Sequence, residues 1–333
     1  MKQSSGVILG LLLLCAPAQA QTLVPGGPSL IPVQPELAPG LSPQYQPKTL
    51  PTSAAAKPGA DIAFGAFQRG YYATAMREAM KRLDTNRNDA AAMTLIGEII
   101  KEGYSVKRDP AEAAHWYKLA ADRGDRQATF ALALAALQGS GIPKDKALAK
   151  TLFQKAAAAG HSGALYNLGI MAIDNEIQDF KAAADYFRRA ADAGNMDGAY
   201  SLAVLYREGK GVPKDLTQSA EWLRRAAAER NVAAEVEYAI MLFNGEGVPK
   251  DEKTAARFFL RAAGRNNPVA MNRIARLYAS GRGVDKNMVE AMKWHILART
   301  VGLQDEWLDG LLNGLGAQEK AAVEDAVRQY IGN

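Results

Sequence analysis

The sequence predicts an all-α protein, a solenoid of about six to seven helix hairpins with a C-terminal helical cap. Alanine, leucine and glycine dominate its apolar residues and runs of β-branched residues are scarce, which favours helix over sheet. A short glycine-containing loop recurs along the chain at a nearly constant spacing. The apolar residues on both sides of each loop follow the periodicity of an α-helix. These observations together predict stacked helical repeats.

The recurring loop gives the period of the repeat. It reads GSGIPKD from Gly139, GKGVPKD from Gly209, GEGVPKD from Gly245 and GRGVDKN from Gly281, with a degenerate copy GYSVKRD from Gly103 and a shortened NEIQD that ends at Asp179. The acids or amides that close the loops are Asp109, Asp145, Asp179, Asp215, Asp251 and Asn287, separated by 36, 34, 36, 36 and 36 residues. A fixed period of this length is typical of a solenoid.

The helix after each loop is predicted from its cap and its apolar face. Each closing Asp or Asn is predicted to be an N-cap, because its side-chain oxygen can accept from a free amide of the first turn. A small residue recurs four positions later, a bulky one seven later and an alanine eleven later, all on one helical face. After Asp251 these are Ala255, Phe258 and Ala262.

The glycines of the loop are predicted to be joints and not a ligand site. Gly209 and Gly245 are expected to end the preceding helix, and Gly211 and Gly247 to let the chain turn. The residue between the two glycines changes from copy to copy, being Ser140, Lys210, Glu246 and Arg282. A phosphate loop would need a following Lys-Ser/Thr, and a calcium loop would need more carboxylates.

The helix before each loop completes a recognisable pattern. The segments ALYNLG (164–169), GKGVPKD (209–215) and AEWLRRAA (220–227) resemble the Sel-one-like repeats, a subclass of tetratricopeptide-like repeats. The resemblance covers residues 89–303 in six units and implies a right-handed superhelical solenoid, here of an exported bacterial protein. Residues 60–88 resemble an ordinary tetratricopeptide hairpin. Residues 304–333 are predicted to form capping helices that cover the last apolar face.

The N-terminal part predicts export. Residues 1–20 combine Lys2, an apolar run and the small-x-small end Ala18-Gln19-Ala20, the pattern of a signal peptide, so we expect a periplasmic or secreted protein without a transmembrane segment after cleavage. Cys15 follows Leu14 and not a small residue, which does not fit a lipoprotein. Residues 21–59 hold nine prolines and are predicted to be a disordered tether.

No constellation of residues predicts catalysis. The chain's three histidines, His115, His161 and His295, fall at unrelated points, and its one cysteine lies in the leader, so we expect no metal, cofactor or enzymatic activity. The formal charge of +5 does not require nucleic acid. Cysteine-rich relatives of the family are described as β-lactam-hydrolysing, but this chain lacks those cysteines. An enzyme acting on peptidoglycan or β-lactams is the alternative.

Binding of a protein or peptide is the predicted function. The resemblance implies that the first helix of each hairpin lines a concave surface, and one stripe there supplies the partner-binding candidates Tyr200, Arg207, Phe243, Asn272 and Arg276. The opposing interpretation is that the stripe is buried and its tyrosines are structural. The resemblance suggests a scaffold or adaptor in the periplasm, in envelope assembly or signalling regulation.

A basic ridge on the helices after the loops leaves a second kind of partner open. It consists of Lys118, Lys155, Arg188, Arg189, Arg224, Arg225 and Arg261. Such a ridge could bind an anionic envelope polymer, that is, an anionic lipid surface or polysaccharide. It could equally be a solvated outer face whose long side chains cover apolar neighbours.

Overall fold

The computed structural model describes residues 61–174 and 178–332, and every regular element in those residues is an α-helix. The helices are α1 (Ile62–Gln68), α2 (Tyr72–Thr85), α3 (Ala90–Glu102), α4 (Pro110–Asp122), α5 (Arg126–Gln138), α6 (Lys146–Ala158), α7 (Ser162–Ile173), α8 (Phe180–Asp192), α9 (Met196–Glu208), α10 (Leu216–Ala228), α11 (Val232–Asn244), α12 (Glu252–Ala263), α13 (Pro268–Ser280), α14 (Met288–Thr300), α15 (Glu306–Asn313) and α16 (Ala317–Gly332). The predicted all-α fold of consecutive hairpins is confirmed. The predicted leader and tether lie outside the described residues.

The helices form two compact units, one built from α1 to α7 and the other from α8 to α16. In the first unit α3 packs on α4 and α5 on α6, and α4 packs on α5 to join the two hairpins. In the second unit α9 packs on α10, α11 on α12 and α13 on α14, and the contacts of α10 with α11 and of α12 with α13 join these hairpins. Helices α15 and α16 pack against α14. Within each unit the neighbours in sequence are therefore the neighbours in space.

The residues that close the loops cap the helices that follow. The side chain of Asp109 accepts from the amides of Ala111 and Glu112, both at 3.0 Å. The other closing residues accept in the same way: Asp145 from Ala147 and Leu148, Asp179 from Ala182, Asp215 from Gln218, Asp251 from Thr254 and Asn287 from Glu290. Each cap satisfies an amide that the helix itself leaves without an acceptor.

The apolar face of the capped helices is centred one residue further along than the sequence pattern predicted. The residues four and eleven after each cap are fully buried. The residue seven after the cap is half-buried in most repeats, and the eighth is buried in all: Tyr117, Phe153, Phe187, Leu223, Phe259 and His295, none more than 2% exposed. The helical period does not decide between them, since positions 4, 8 and 11 span the same arc around the axis, about 60°, as positions 4, 7 and 11. Packing against the neighbouring hairpin therefore places the eighth residue in the core.

The second glycine of each loop is a contact between hairpins as well as a turn. Gly247 has φ +69°, and a Cβ built on it would lie 2.5 Å from the carbonyl carbon of Leu216, the first residue of α10. Gly211 makes the same approach to Phe180, the first residue of α8. The loop of one hairpin thus rests on the helix N-terminus of the preceding hairpin. Only glycine allows this approach in this conformation.

One of the three histidines, His161, caps a helix in the first unit. The Nδ1 atom of His161 accepts from the amide of Ala164 at 3.2 Å, and Nε2 lies 2.9 Å from Oε1 of Gln127. Because Nδ1 must be an acceptor, Nε2 carries the proton and donates to Gln127. The ring also stacks on Phe130, with centroids 4.2 Å apart. Burial, with the positive charge of Arg126, lowers the pKa of His161 from its usual 6.5 to about 4.

The first unit should therefore lose stability in acid through His161. The lowered pKa means that this contribution is present above pH 6.5 and is lost as the pH falls toward 4, because protonation of Nδ1 removes the cap acceptor. We expect a loss of about 2 kcal/mol between pH 7 and 4.5. His161→Asn should remove this pH-dependent loss of stability, because Asn retains a cap of the kind formed by Asn231 and Asn267.

Urea unfolding of the wild type and His161→Asn at both pH values measures this difference. His115→Asn is the control, because His115 is exposed. An unchanged pH dependence in His161→Asn would show that His161 is not the titrating group.

Candidate functional site

A groove in the second unit is a concave site that contains two of the predicted binding residues, Phe243 and Arg276. It has a volume of about 350 Å³. It is lined by Ile240, Phe243, Asn244, Phe259, Arg273, Arg276, Leu277, Ser280, Arg282 and Trp307. Its walls come from α11, α12 and α13, the loop after α13 and the first turn of α15. Apolar walls with a few charged groups are typical of ligand sites.

Two arginines lie over the aromatic rings of this groove. The guanidinium of Arg282 is 4.2 Å from the ring centroid of Phe243, and that of Arg276 is 5.2 Å from the ring of Trp307. Trp307 nevertheless remains 47% exposed, which is unusual for the largest apolar side chain. Stacked guanidinium groups restrict the rings and leave their other faces open.

Arg276 also holds the C-terminal helices in place. Its guanidinium donates from Nε and Nη2 to the two carboxylate oxygens of Asp305, at 2.6 and 2.8 Å, and Asn272 donates to the same carboxylate at 2.7 Å. Asp305 in turn caps α15 by accepting from the Leu308 amide. Burial opposes ionisation of Asp305, but these hydrogen bonds outweigh it and lower its pKa to about 2. The ion pair therefore fixes Trp307 at the edge of the groove.

A second anchor joins α15 to α14. His295, which takes the position of the buried ring in other repeats, is fully buried, and its Nε2 lies 2.9 Å from Oδ1 of Asp309. Arg299 pairs with the same oxygen at 3.0 Å. Helix α16 packs Tyr330 against Trp294 with ring centroids 5.1 Å apart. Helix α15 is thus held at its N-cap, through Asp305, and in its middle, through Asp309.

The structure brings only part of the predicted binding set together. Phe243 and Arg276 line the groove, whereas Asn272 lies behind it on Asp305. Arg207 donates to Glu237 at 2.6 Å, and Tyr200 is half-buried on α9; neither lines the groove. Arg276 also has a structural role, because it pairs with Asp305.

The predicted set missed most of the groove lining, including Arg273, Arg282 and Trp307. Arg273 and Arg282 lie outside the predicted stripe, and Trp307 lies in the segment predicted to be a cap. A helical wheel of α13 centred on Leu277 would have found Arg273, because residues 273, 277 and 280 share one face. No repeat register indicates Trp307, since it follows the last repeat.

The predicted stripe as a whole is neither open nor fully buried. Thr94, Glu98, Phe130 and Val236 are buried, and many of the remaining apolar positions are half-buried. Phe130 is covered by His161, as described above. The exposed part of the stripe is therefore concentrated at a few positions, among them Arg276.

The cations of the basic ridge contact neighbours in the same unit, and four of the seven pair with carboxylates. Lys118 pairs with Asp122, Arg189 with Asp185, Arg224 with Glu221 and Arg261 with Glu235; Lys155 donates to the Ala121 carbonyl, Arg188 donates to the Tyr206 hydroxyl and Arg225 lies over the Trp222 ring. Cations that already have partners attract an external polyanion less strongly. The contacts favour the interpretation of the ridge as a solvated face.

Metal-binding clusters and membrane-spanning helices are two further features that a functional site can contain. Within residues 61–174 and 178–332, no group of three or more His, Cys, Asp or Glu side chains is placed to hold a metal ion. Among the helices of the same residues, none has the length and apolarity needed to cross a bilayer.

Comparison with known families agrees with the repeat seen in the helices. The model of the Sel1 repeat matches residues 90–125, 126–161, 162–195, 197–231, 232–267 and 268–300. The chain belongs to the Sel1 repeat family. Each match begins at or next to the first helix of a hairpin and ends beside the second. Sel1 repeats generally form protein-interaction scaffolds.

Solved structures of Sel1 repeat proteins are similar to this chain. A Sel1 repeat protein from Oxalobacter formigenes is 26% identical, covers 73% of this chain and 97% of its own, and has a TM-score of 0.61. The protein c5321, a protective antigen present in uropathogenic Escherichia coli strains, is also 26% identical and covers 78% of this chain and 64% of its own, with a TM-score of 0.49. The first of these shows the same packing of consecutive helix pairs.

Proposed function

We propose that this Sel1 repeat protein is a non-catalytic scaffold of the bacterial periplasm that binds a protein or peptide partner through the groove between α11, α13 and α15. The observation that carries the proposal is the exposed Trp307, held in place by the Arg276–Asp305 pair beside Phe243. A fixed, exposed aromatic ring next to arginines is the composition of an interface hot spot. The signal-peptide pattern of residues 1–20 supports the location, and a tether would give the repeats reach.

Photo-crosslinking in intact cells tests the binding. A photoreactive phenylalanine analogue at Trp307 should crosslink to a defined protein that mass spectrometry identifies. The same analogue at Leu260, an exposed apolar residue on α12 outside the groove lining, is the control position. The partner should appear only from position 307. The same products from both positions would contradict the groove.

Charge reversal at a groove residue and at a control residue distinguishes binding through the groove from binding through the rest of the surface. Adding Arg273→Glu should reduce the crosslink at position 307 by about tenfold, because reversing the charge of a groove residue opposes a partner that binds beside it. Arg257→Glu makes the same charge change on α12, at an exposed residue that does not line the groove. It should leave the crosslink unchanged. Equal losses in both variants would indicate a nonspecific effect of charge.

The location has a separate test. Mass spectrometry of the protein from the periplasmic fraction should show an N-terminus at Gln21. A cytoplasmic protein that retains residues 1–20 would contradict the periplasmic assignment while leaving the binding proposal intact.

A further inference from the structure

The side chains that line the groove carry positive charges and no negative charge. The lining includes Arg273, Arg276 and Arg282 but no carboxylate. Arg276 is paired with Asp305, and Arg282 with Glu252 on α12. Arg273 is exposed and makes no hydrogen bond or ion pair with any residue that the structure describes. One uncompensated guanidinium therefore remains at the edge of the groove.

A guanidinium in this state is suited to one kind of group. Its planar N–H fork matches the two oxygens of a carboxylate, and its charge does not titrate in the ordinary pH range. The salt links of Arg276 and Arg282 keep their own carboxylates out of the groove, so these do not compete for Arg273.

The remaining lining suits an apolar side chain next to that carboxylate. Ile240 and Leu277 line the same groove as the rings of Phe243 and Trp307. Its volume of about 350 Å³ is at the lower end of the range for small-ligand sites, which corresponds to a few side chains and not to a whole domain.

The surroundings favour a peptide over an anionic lipid surface or polysaccharide. Anionic lipid surfaces and polysaccharides are bound by many free cations over a wide surface. The cations of the basic ridge already have partners, and the groove is small and aromatic. An acidic peptide needs only one free cation beside an apolar pocket.

We infer, on the basis of the proposed function, that the groove recognises an acidic segment of its partner, in which an Asp or Glu pairs with Arg273 and a neighbouring apolar residue packs between Phe243 and Trp307. Arg273 is then the residue that determines specificity, and Trp307 provides the binding surface. The two roles can be separated experimentally, because each belongs to a different side chain.

Selection of peptides by the protein tests this inference. A phage library of random 12-residue peptides is panned on residues 21–333, and the affinities of the recovered peptides are measured by fluorescence anisotropy. We expect peptides that lose binding to Trp307→Ala and that contain Asp or Glu next to an apolar residue. Arg273→Glu should weaken them by about tenfold or more, and Arg257→Glu by less than about twofold.

A double-mutant cycle assigns the contact. Replacing the peptide's Glu by Gln should weaken binding to the wild type, and should have little further effect on Arg273→Gln. Peptides that depend on Trp307 but are neutral or basic would overturn the acidic specificity and leave the proposed function standing. If no recovered peptide depends on Trp307, both the specificity and the proposed groove are wrong.

Discussion

Gly247→Ala is expected to destabilise the second unit by about 3 kcal/mol. Two costs add at this position. The backbone has φ +69°, which an L-residue adopts only with strain, and the new Cβ would meet the carbonyl of Leu216 at the start of α10. Relief of that clash requires the loop after α11 to move away from α10, which separates two hairpins. Chemical unfolding monitored by circular dichroism measures the loss.

Gly302→Ala is the matched control for this prediction. Gly302 also has a positive φ, +90°, but a Cβ there would meet nothing within 4 Å. It should cost only the backbone term, about 1–2 kcal/mol. Equal losses in the two variants would show that the contact with Leu216 contributes nothing, and that the second glycine is a turn residue alone.

Asp305→Ala is expected to release the C-terminal helices at a cost of about 3 kcal/mol. The substitution removes the N-cap of α15 and the buried carboxylate to which Arg276 and Asn272 donate. Hydrogen exchange should therefore rise across residues 306–313 while α11 and α12 remain protected. The loss of Trp307 from the groove edge should weaken partner binding as well.

The carboxylate of Asp305 also predicts that the stability of the C-terminal helices decreases in acid. Because the folded pKa of Asp305 is lowered to about 2 from its usual 3.8, its contribution is present above 3.8 and is lost as the pH falls through 2. Asp325→Ala is the control, since this carboxylate pairs with Arg328 on the surface of α16. It should leave the exchange of α15 unchanged. Unchanged exchange in Asp305→Ala would mean that the Asp309 contacts alone hold α15.

The repeat could be predicted because its signals are local. A cap, a small residue four positions later and an alanine at position eleven each restrict the same helix, and they recur with the period. The precise centre of the apolar face was less predictable. Aromatic residues occur at both the seventh and eighth positions, and only packing against the neighbouring hairpin shows that Phe259 is buried while Phe258 is half-exposed.

The charged residues were the least predictable from the sequence. Arg261 appeared as part of a surface ridge, yet it reaches the fully buried Glu235, which Arg265 also contacts. Partners that lie about 30 residues apart have no signature in a local pattern, because the length of the intervening hairpin decides whether they meet. For the same reason, no local pattern reveals that Arg276 pairs with Asp305, 29 residues away.

The sequence by itself determined the helices, the caps of the helices that follow the loops, the joints and the number of repeats, since each of these depends on residues within one turn or one hairpin. Only the tertiary structure decided which arginines are neutralised and which one, Arg273, is left over at a groove. It also decided that the second glycine of each loop is a contact between hairpins. Both results depend on distances between elements far apart in the chain, and those distances are fixed only when the hairpins pack.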